Sequence, residues 1–172
     1  MLSRLPEYCD LFQLAEKNAT ITGTWPVSKM PRLLGMLASD VGEATAELEF
    51  GKSGRTRFLR GKVLAEVTIQ CQRCMQDMAY TLEAEFLLAL LDDEIYIDKM
   101  PDQYEALITE GRHFLPDVIE DELILAVPIV ANHESECSDF MNEQAIELEK
   151  LRKLEEEEKK KSNPFSVLKN LQ

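Results

Sequence analysis

The stretch that decides the fold is EATAELEF at residues 43–50, in which small or apolar residues alternate strictly with glutamate and threonine. A period of two places one set on a buried face and the other in water, which is typical of a β-strand. The same alternation returns at residues 59–71 and 78–90, after the glycine-containing turn GKSG at 51–54. Three such runs with short connections predict an antiparallel meander that is half-buried.

The segment before the meander predicts short elements. Asp10 is a suitable N-cap residue for a helix over residues 11–17. Residues 20–22 are strand-like, and Gly23 and Pro26 are expected to break that strand. Ser28 is a suitable N-cap residue for a second short helix.

The segment after the meander predicts a longer helix. Pro116 suits its first turn and Pro128 ends it, and an apolar stripe that includes Val118 and Leu123 would cover the sheet. One more short strand is expected around residues 104–109. The predicted fold class is therefore α+β, with an antiparallel sheet of about four or five strands covered on one face by helices.

Two parts of unlike character are expected. Residues 1–138 would form the α+β domain, and residues 139–172 a charged helix with a mobile tail that ends in an NPFSVL segment. The longest apolar run, residues 123–131, is too short to span a bilayer, which needs about 20 residues. With no secretory signal pattern at the N-terminus, we expect a protein that is neither secreted nor in a membrane.

The charge is distributed unevenly, although the 172 residues carry a formal net charge of −13. Residues 50–76 hold six basic side chains and one acidic one, whereas residues 77–125 hold fourteen acidic and two basic ones. The six basic residues are Lys52, Arg55, Arg57, Arg60, Lys62 and Arg73. One interpretation is an RNA-binding segment that contacts phosphate, followed by a segment that contacts a basic protein. The alternative is chance clustering on a solubilising surface.

The cysteines suggest a metal site. Cys71 and Cys74 form a CxxC turn, and His133 and Cys137 form an HxxxC pair. Three sulfurs and one imidazole make a closed tetrahedral donor set that suits structural Zn²⁺. Two alternatives stay open: reduced thiols with Cys71 in the core, or a redox-active CxxC pair.

Residues suited to catalysis are few. The chain has two histidines, and neither a glycine-rich phosphate loop nor a nucleophile motif occurs. Adjacent carboxylates such as Asp92–Asp93 and Glu120–Glu122 are expected by chance in so acidic a chain, and we expect them to lie on the solvated surface. The sequence therefore predicts a protein that is not an enzyme.

Four features occur together in one known family. They are CQRC at 71–74, DVIEDELILAVP at 117–128, His133 with Cys137 just beyond it, and NPFSVL at 163–168. In this order they resemble the YceD family, the large ribosomal RNA subunit accumulation protein. The resemblance implies a bacterial cytoplasmic protein needed for accumulation of 23S ribosomal RNA, and it supplies no catalytic residues.

The combined prediction is a non-enzymatic factor for the synthesis, processing or stability of 23S rRNA. The basic hairpin would contact precursor RNA, and residues 77–125 would meet a basic large-subunit ribosomal protein. A partner would bind the tail at Asn163, Pro164, Phe165, Val167 and Leu168. Neither a membrane nor a small-molecule substrate is expected. Two other functions stay open: a metal-dependent rRNA-processing nuclease, and an acidic chaperone for a basic ribosomal protein without RNA contact.

Overall fold

The computed structural model describes residues 3–135, 137 and 147–154. The chain divides into two compact units, residues 1–132 and 133–172. In the second unit residues 147–154 are helical. The predicted boundary after residue 138 and the NPFSVL segment lie outside the described residues, so both stay predictions.

The first unit has the predicted α+β composition. Its strands are β1 (Tyr8–Asp10), β2 (Thr20–Pro26), β3 (Glu43–Ser53), β4 (Thr56–Gln70), β5 (Asp77–Leu91), β6 (Glu105–Ile108) and β7 (Arg112–Phe114). Its α-helices are α1 (Leu11–Glu16), α2 (Pro31–Leu34) and α3 (Leu115–Ala126), with 3₁₀ segments at Val27–Lys29 and Glu94–Lys99. The Asp10 cap is confirmed, because its Oδ1 accepts a hydrogen bond of 2.9 Å from the backbone N–H of Gln13.

The main sheet has five strands in the order β2-β3-β4-β5-β6. The predicted meander is confirmed, since β3, β4 and β5 are consecutive antiparallel neighbours. Strand β6 is parallel to β5, which departs from the antiparallel prediction. Residues 92–104 are long enough to return the chain to the same end of the sheet, as a parallel connection requires. Strands β1 and β7 form a separate pair, and at three residues each they are too short for a periodic signal.

The alternating residues of the meander face the core as predicted. In one row Leu48 lies opposite Gly61, which lies opposite Phe86. A Cβ at Gly61 would come within 2.1 Å of the Phe86 ring. Glycine is therefore required here because the aromatic ring occupies the space of a side chain.

The expected break at Gly23 is wrong, because β2 continues through it to Pro26. The chain near Ser3 lies directly against this glycine, where a Cβ would be 2.5 Å from the Ser3 carbonyl oxygen. Thr24 donates its N–H to that same oxygen over 3.0 Å. Gly23 therefore permits a close backbone approach inside a strand instead of ending it.

The expected Ser28 cap is also wrong. Helix α2 begins at Pro31 after Met30, and neither its own N-cap nor that of the preceding 3₁₀ segment makes a side-chain hydrogen bond. The cap comes from α3: Glu120 Oε1 accepts the backbone N–H groups of Arg32 at 2.7 Å and Leu33 at 3.0 Å. A carboxylate is favourable at a helix N-terminus because the exposed N–H groups there carry partial positive charge.

Glu120 therefore contradicts the expectation that the carboxylates at residues 120–122 all lie on the solvated surface. Its side chain is only 3% exposed, and the Arg32 guanidinium bonds its Oε2 at 3.1 and 3.2 Å. Arg32 also pairs with Asp121. Val118, Ile119 and Leu123 are buried on the same helix, which confirms its predicted apolar stripe.

We expect Glu120→Ala to lower the free energy of unfolding by about 3 kcal/mol, because two backbone N–H groups and a guanidinium lose their acceptor. Chemical denaturation measures this. Asp121→Ala is the matched control, since its side chain is 56% exposed and an exposed ion pair contributes about 0–1 kcal/mol. Equal losses in the two variants would contradict the role assigned to Glu120.

A second carboxylate of α3 makes the stability depend on pH. Burial, with smaller effects from Glu105 and Asp121, raises the pKa of Glu122 to about 7. The folded state thus binds a proton that the unfolded chain has released between pH 4.5 and 7, so stability falls as the pH rises through this window. We expect Glu122→Gln to raise the melting temperature at pH 8 and to leave it nearly unchanged at pH 4. An equal effect at both pH values would contradict this titration.

Candidate metal centre and basic surface

The CxxC motif lies in a tight turn between β4 and β5. The Cys71 N–H donates to the Gln76 carbonyl oxygen and the Met75 N–H donates to the Cys71 carbonyl oxygen, both over 2.9 Å. Met75 has a positive φ of 61°, which closes the turn. The Arg73 backbone N–H donates to the Cys71 sulfur over 3.4 Å.

The chain after α3 runs against this turn. Gln72 donates its backbone N–H to the Ala131 carbonyl oxygen at 2.8 Å and its side-chain amide to the Ile129 carbonyl oxygen at 3.2 Å. The Cys71 sulfur also lies 4.0 Å from the Asn132 amide oxygen. His133 is the next residue along the chain, so the CxxC turn and the HxxxC pair lie close together despite their distance in sequence.

Cys71, Cys74, His133 and Cys137 form a group that could hold a metal ion. Their ligand atoms all lie within 4.8 Å of one another. The ligands of tetrahedral zinc are separated by about 3.3–3.8 Å, as follows from metal–ligand distances of about 2.0–2.3 Å. The sequence interpretation named all four residues of this group. Cys71 is also buried, as its core alternative required, so it can serve as both a core residue and a ligand.

The remaining cysteine lies elsewhere. Cys9 is in β1, opposite His113 of β7. Burial, and to a lesser degree the charge of Asp10, raises the pKa of its thiol, which disfavours the nucleophilic thiolate. It therefore offers a control cysteine that is outside the metal-ligating group.

The basic residues at the β3–β4 hairpin have acidic neighbours. Arg57 Nε bonds Glu16 Oε1 of α1 at 2.9 Å, and Lys52 pairs with the other oxygen. The hydrogen bond from Lys52, followed by that from Arg57, lowers the pKa of Glu16. Two of the predicted RNA-binding cations therefore share one surface carboxylate.

Farther along β4, the basic residues pair across the sheet. Arg60 bonds Glu49 at 3.2 Å, and Lys62 bonds Glu83 at 2.7 Å and Glu85 at 2.8 Å. The hydrogen bonds that Lys62 donates to Glu83 and Glu85 raise the pKa of Lys62, and the one to Glu85 lowers the pKa of that carboxyl group. These partners lie beside Lys62 because antiparallel register brings distant residues together.

The outer face of the meander is therefore acidic overall. Arg60 and Lys62 share it with six glutamates and Asp77, which gives a formal charge of −5. The glutamates are Glu43, Glu47, Glu49, Glu66, Glu83 and Glu85. The sequence interpretation treated residues 50–76 as one positive segment, but the sheet mixes this segment with the acidic residues of two neighbouring strands.

The other two predicted basic residues lie in turns. Arg55 is at the β3–β4 turn and makes no ion pair with any residue that the structure describes. Arg73 lies within the CxxC turn. Arg55 and Arg57 line a pocket together with Tyr96 and Lys99. Sequence reasoning missed these last two residues because they lie in the segment that it described only as acidic.

The fold and the Cys₃His group define an α+β protein with an antiparallel meander and a candidate metal centre. The YceD family model, described as large ribosomal RNA subunit accumulation protein YceD, matches residues 59–172. A relative from Haemophilus influenzae, named large ribosomal RNA subunit accumulation protein YceD, is 33% identical over 172 residues and covers 98% of this chain and 96% of its own length. The chain belongs to the YceD family, which confirms the resemblance.

Two negative results also concern this chain. No solved structure matches it significantly. A search of the described helices finds none with the length and apolar character needed to cross a membrane.

Proposed function

We propose that this protein promotes the accumulation of 23S rRNA during assembly of the large ribosomal subunit, in the cytoplasm and without catalysing a reaction. The observation that carries the proposal is the nearly full-length similarity to a relative named for large ribosomal RNA subunit accumulation. The uneven charge of the surface supports binding as the mode of action, because precursor rRNA and basic ribosomal proteins are ligands of opposite charge.

The basic hairpin would contact RNA through Lys52, Arg55, Arg57, Arg60 and Lys62, and Arg73, in the turn at the opposite end of β4, would add a further contact. Existing ion pairs do not prevent this, since exposed pairs such as Arg60–Glu49 contribute only about 0–1 kcal/mol. A phosphate can therefore replace a carboxylate at little cost. The acidic segment at residues 77–125 would meet a basic large-subunit protein, and the NPFSVL tail would bind a further partner.

The Cys₃His group would hold a structural zinc ion. Four protein ligands fill a tetrahedral shell and leave no open position for a catalytic water. The ion would tie the β4–β5 turn to residues 133–137 and so stabilise the fold near the end of the long strands. A redox-active CxxC pair would instead need both thiols available for thiol–disulfide exchange, which a bound zinc ion prevents.

Loss of the protein is expected to lower the ratio of 23S to 16S rRNA, and the tagged protein is expected to co-sediment with immature large-subunit particles. A deletion strain complemented with the wild-type gene provides the comparison. An unchanged rRNA ratio, together with protein that migrates away from every immature particle, would overturn the proposed function.

Two experiments distinguish the proposed function from the chaperone and nuclease alternatives. Ultraviolet crosslinking should place RNA adducts within residues 52–62; adducts on ribosomal protein alone would favour the chaperone. Purified protein incubated with precursor rRNA and Mg²⁺ should leave the RNA intact. Cleavage that is abolished by a single Asp or Glu substitution would favour the nuclease.

Elemental analysis of protein prepared without chelator is expected to give about one zinc per chain. Cys74→Ser should lose most of the metal and lower the melting temperature, because one ligand of four is removed. Cys9→Ser is the matched control and should keep the zinc. Zinc well below one per chain in the wild-type protein would end this part of the proposal.

A further inference from the structure

The pocket beside the β3–β4 turn is the place where positive charge remains concentrated. It has a volume of about 440 Å³ and lies between the hairpin, the end of β5 and the 3₁₀ segment Glu94–Lys99. Arg55, Arg57 and Lys99 line it against a single carboxylate, that of Asp92. In a chain with a net charge of −13, three cations around one cavity favour an anionic ligand.

A second, larger pocket differs from this one in the charge of its lining. It has about 630 Å³ and lies on the outer face of the sheet. Its charged lining residues are Glu47, Glu49, Glu85, Arg60 and Lys62. Its three carboxylates outnumber its two cations, so this pocket is the poorer site for phosphate.

Arg57 is held in place at the smaller pocket. Its Nε–H is bonded to Glu16, and its guanidinium lies 5.1 Å from the centre of the Phe12 ring. A guanidinium has five N–H donors, and the hydrogen bond to Glu16 uses only the one on Nε. The terminal nitrogens make no hydrogen bond with the rest of the described chain, so they can bind phosphate oxygens without breaking the Glu16 pair.

Tyr96 gives the pocket an aromatic surface. Its side chain is 41% exposed, and Lys99 Nζ lies 5.2 Å from the ring centre. An exposed ring beside basic residues is the arrangement by which proteins stack unpaired bases while binding the adjacent phosphates. Double-stranded RNA does not offer such a base, because its bases are paired and stacked within the helix.

We infer that this pocket binds a single-stranded segment of RNA, with phosphate contacted by Arg55, Arg57 and Lys99 and one unpaired base stacked on Tyr96. The inference rests on the proposed function and identifies its ligand more narrowly. Stacking on a ring accepts any base, so the site selects unpaired RNA over duplex with little preference for sequence.

The experiment is fluorescence anisotropy with a labelled twelve-nucleotide oligouridine between 50 and 300 mM salt, with an RNA duplex and inorganic phosphate as competitors. Tyr96→Leu is expected to weaken binding about tenfold with an unchanged salt slope, because it removes stacking but no charge. Arg55→Gln and Lys99→Gln are each expected to reduce that slope by about 0.7, which is the contribution of one phosphate contact on a single strand.

Two matched controls keep the test specific. Tyr8→Leu removes another exposed ring, 58% exposed with Arg112 at 5.4 Å from its centre, that lies outside the pocket. Arg152→Gln removes an exposed charge from the helix at residues 147–154. Both should bind like the wild-type protein, and circular dichroism checks that each variant is folded.

Three results would overturn the inference: no binding of oligouridine, equal competition by duplex, or equal losses in Tyr96→Leu and Tyr8→Leu. Displacement of oligouridine by inorganic phosphate, at a concentration equal to that of the RNA phosphate groups, would identify a site for simple anions. That result would also overturn the inference. The proposed function is tested separately, by the ratio of 23S to 16S rRNA and by sedimentation. Co-sedimentation without oligouridine binding would therefore reject this pocket and leave the wider proposal intact.

Discussion

The buried carboxylate of Glu120 joins helices α2 and α3 of the first unit. It accepts the N–H groups at the start of α2 and binds the Arg32 guanidinium, while Ile119 and Leu123 of the same helix are buried in the core. Moving α3 along its axis would separate these donors from their buried acceptor. The helix therefore has one favourable position, and the chain that follows it reaches the CxxC turn, where Gln72 binds the Ala131 carbonyl oxygen.

The surface charge of this protein depends on which strands are neighbours in the sheet as much as on the order of residues along the chain. Along the sequence, residues 50–76 are strongly basic. Across the sheet, Arg60 meets Glu49 and Lys62 meets Glu85, because antiparallel strands place these residues side by side. The outer face is thereby acidic, whereas Arg55 and Arg57 at the hairpin end are joined by Lys99 from the chain after β5. The charge along the sequence therefore does not describe the charge of one face of the sheet.

The candidate metal site combines a local and a distant contribution. The spacing of Cys71 and Cys74 is sufficient to predict two ligands on one turn, since a two-residue spacer lets both sulfurs face one ion. His133 and Cys137 belong to the same group only because the segment after α3 contacts that turn. The sequence could name these four residues by their type, but their proximity depends on how the helix packs.

The sequence by itself determined the strands of the meander, the Asp10 cap and the apolar stripe of α3, because alternation, capping and helical periodicity involve residues that are neighbours along the chain. Only the tertiary structure decided that Gly23 lies inside a strand, that Glu120 is a buried cap and that Tyr96 lines a basic pocket. Each of these depends on a contact with a residue far away in sequence. Burial and electrostatic environment are set by such contacts, and local patterns carry no information about which distant residue will provide them.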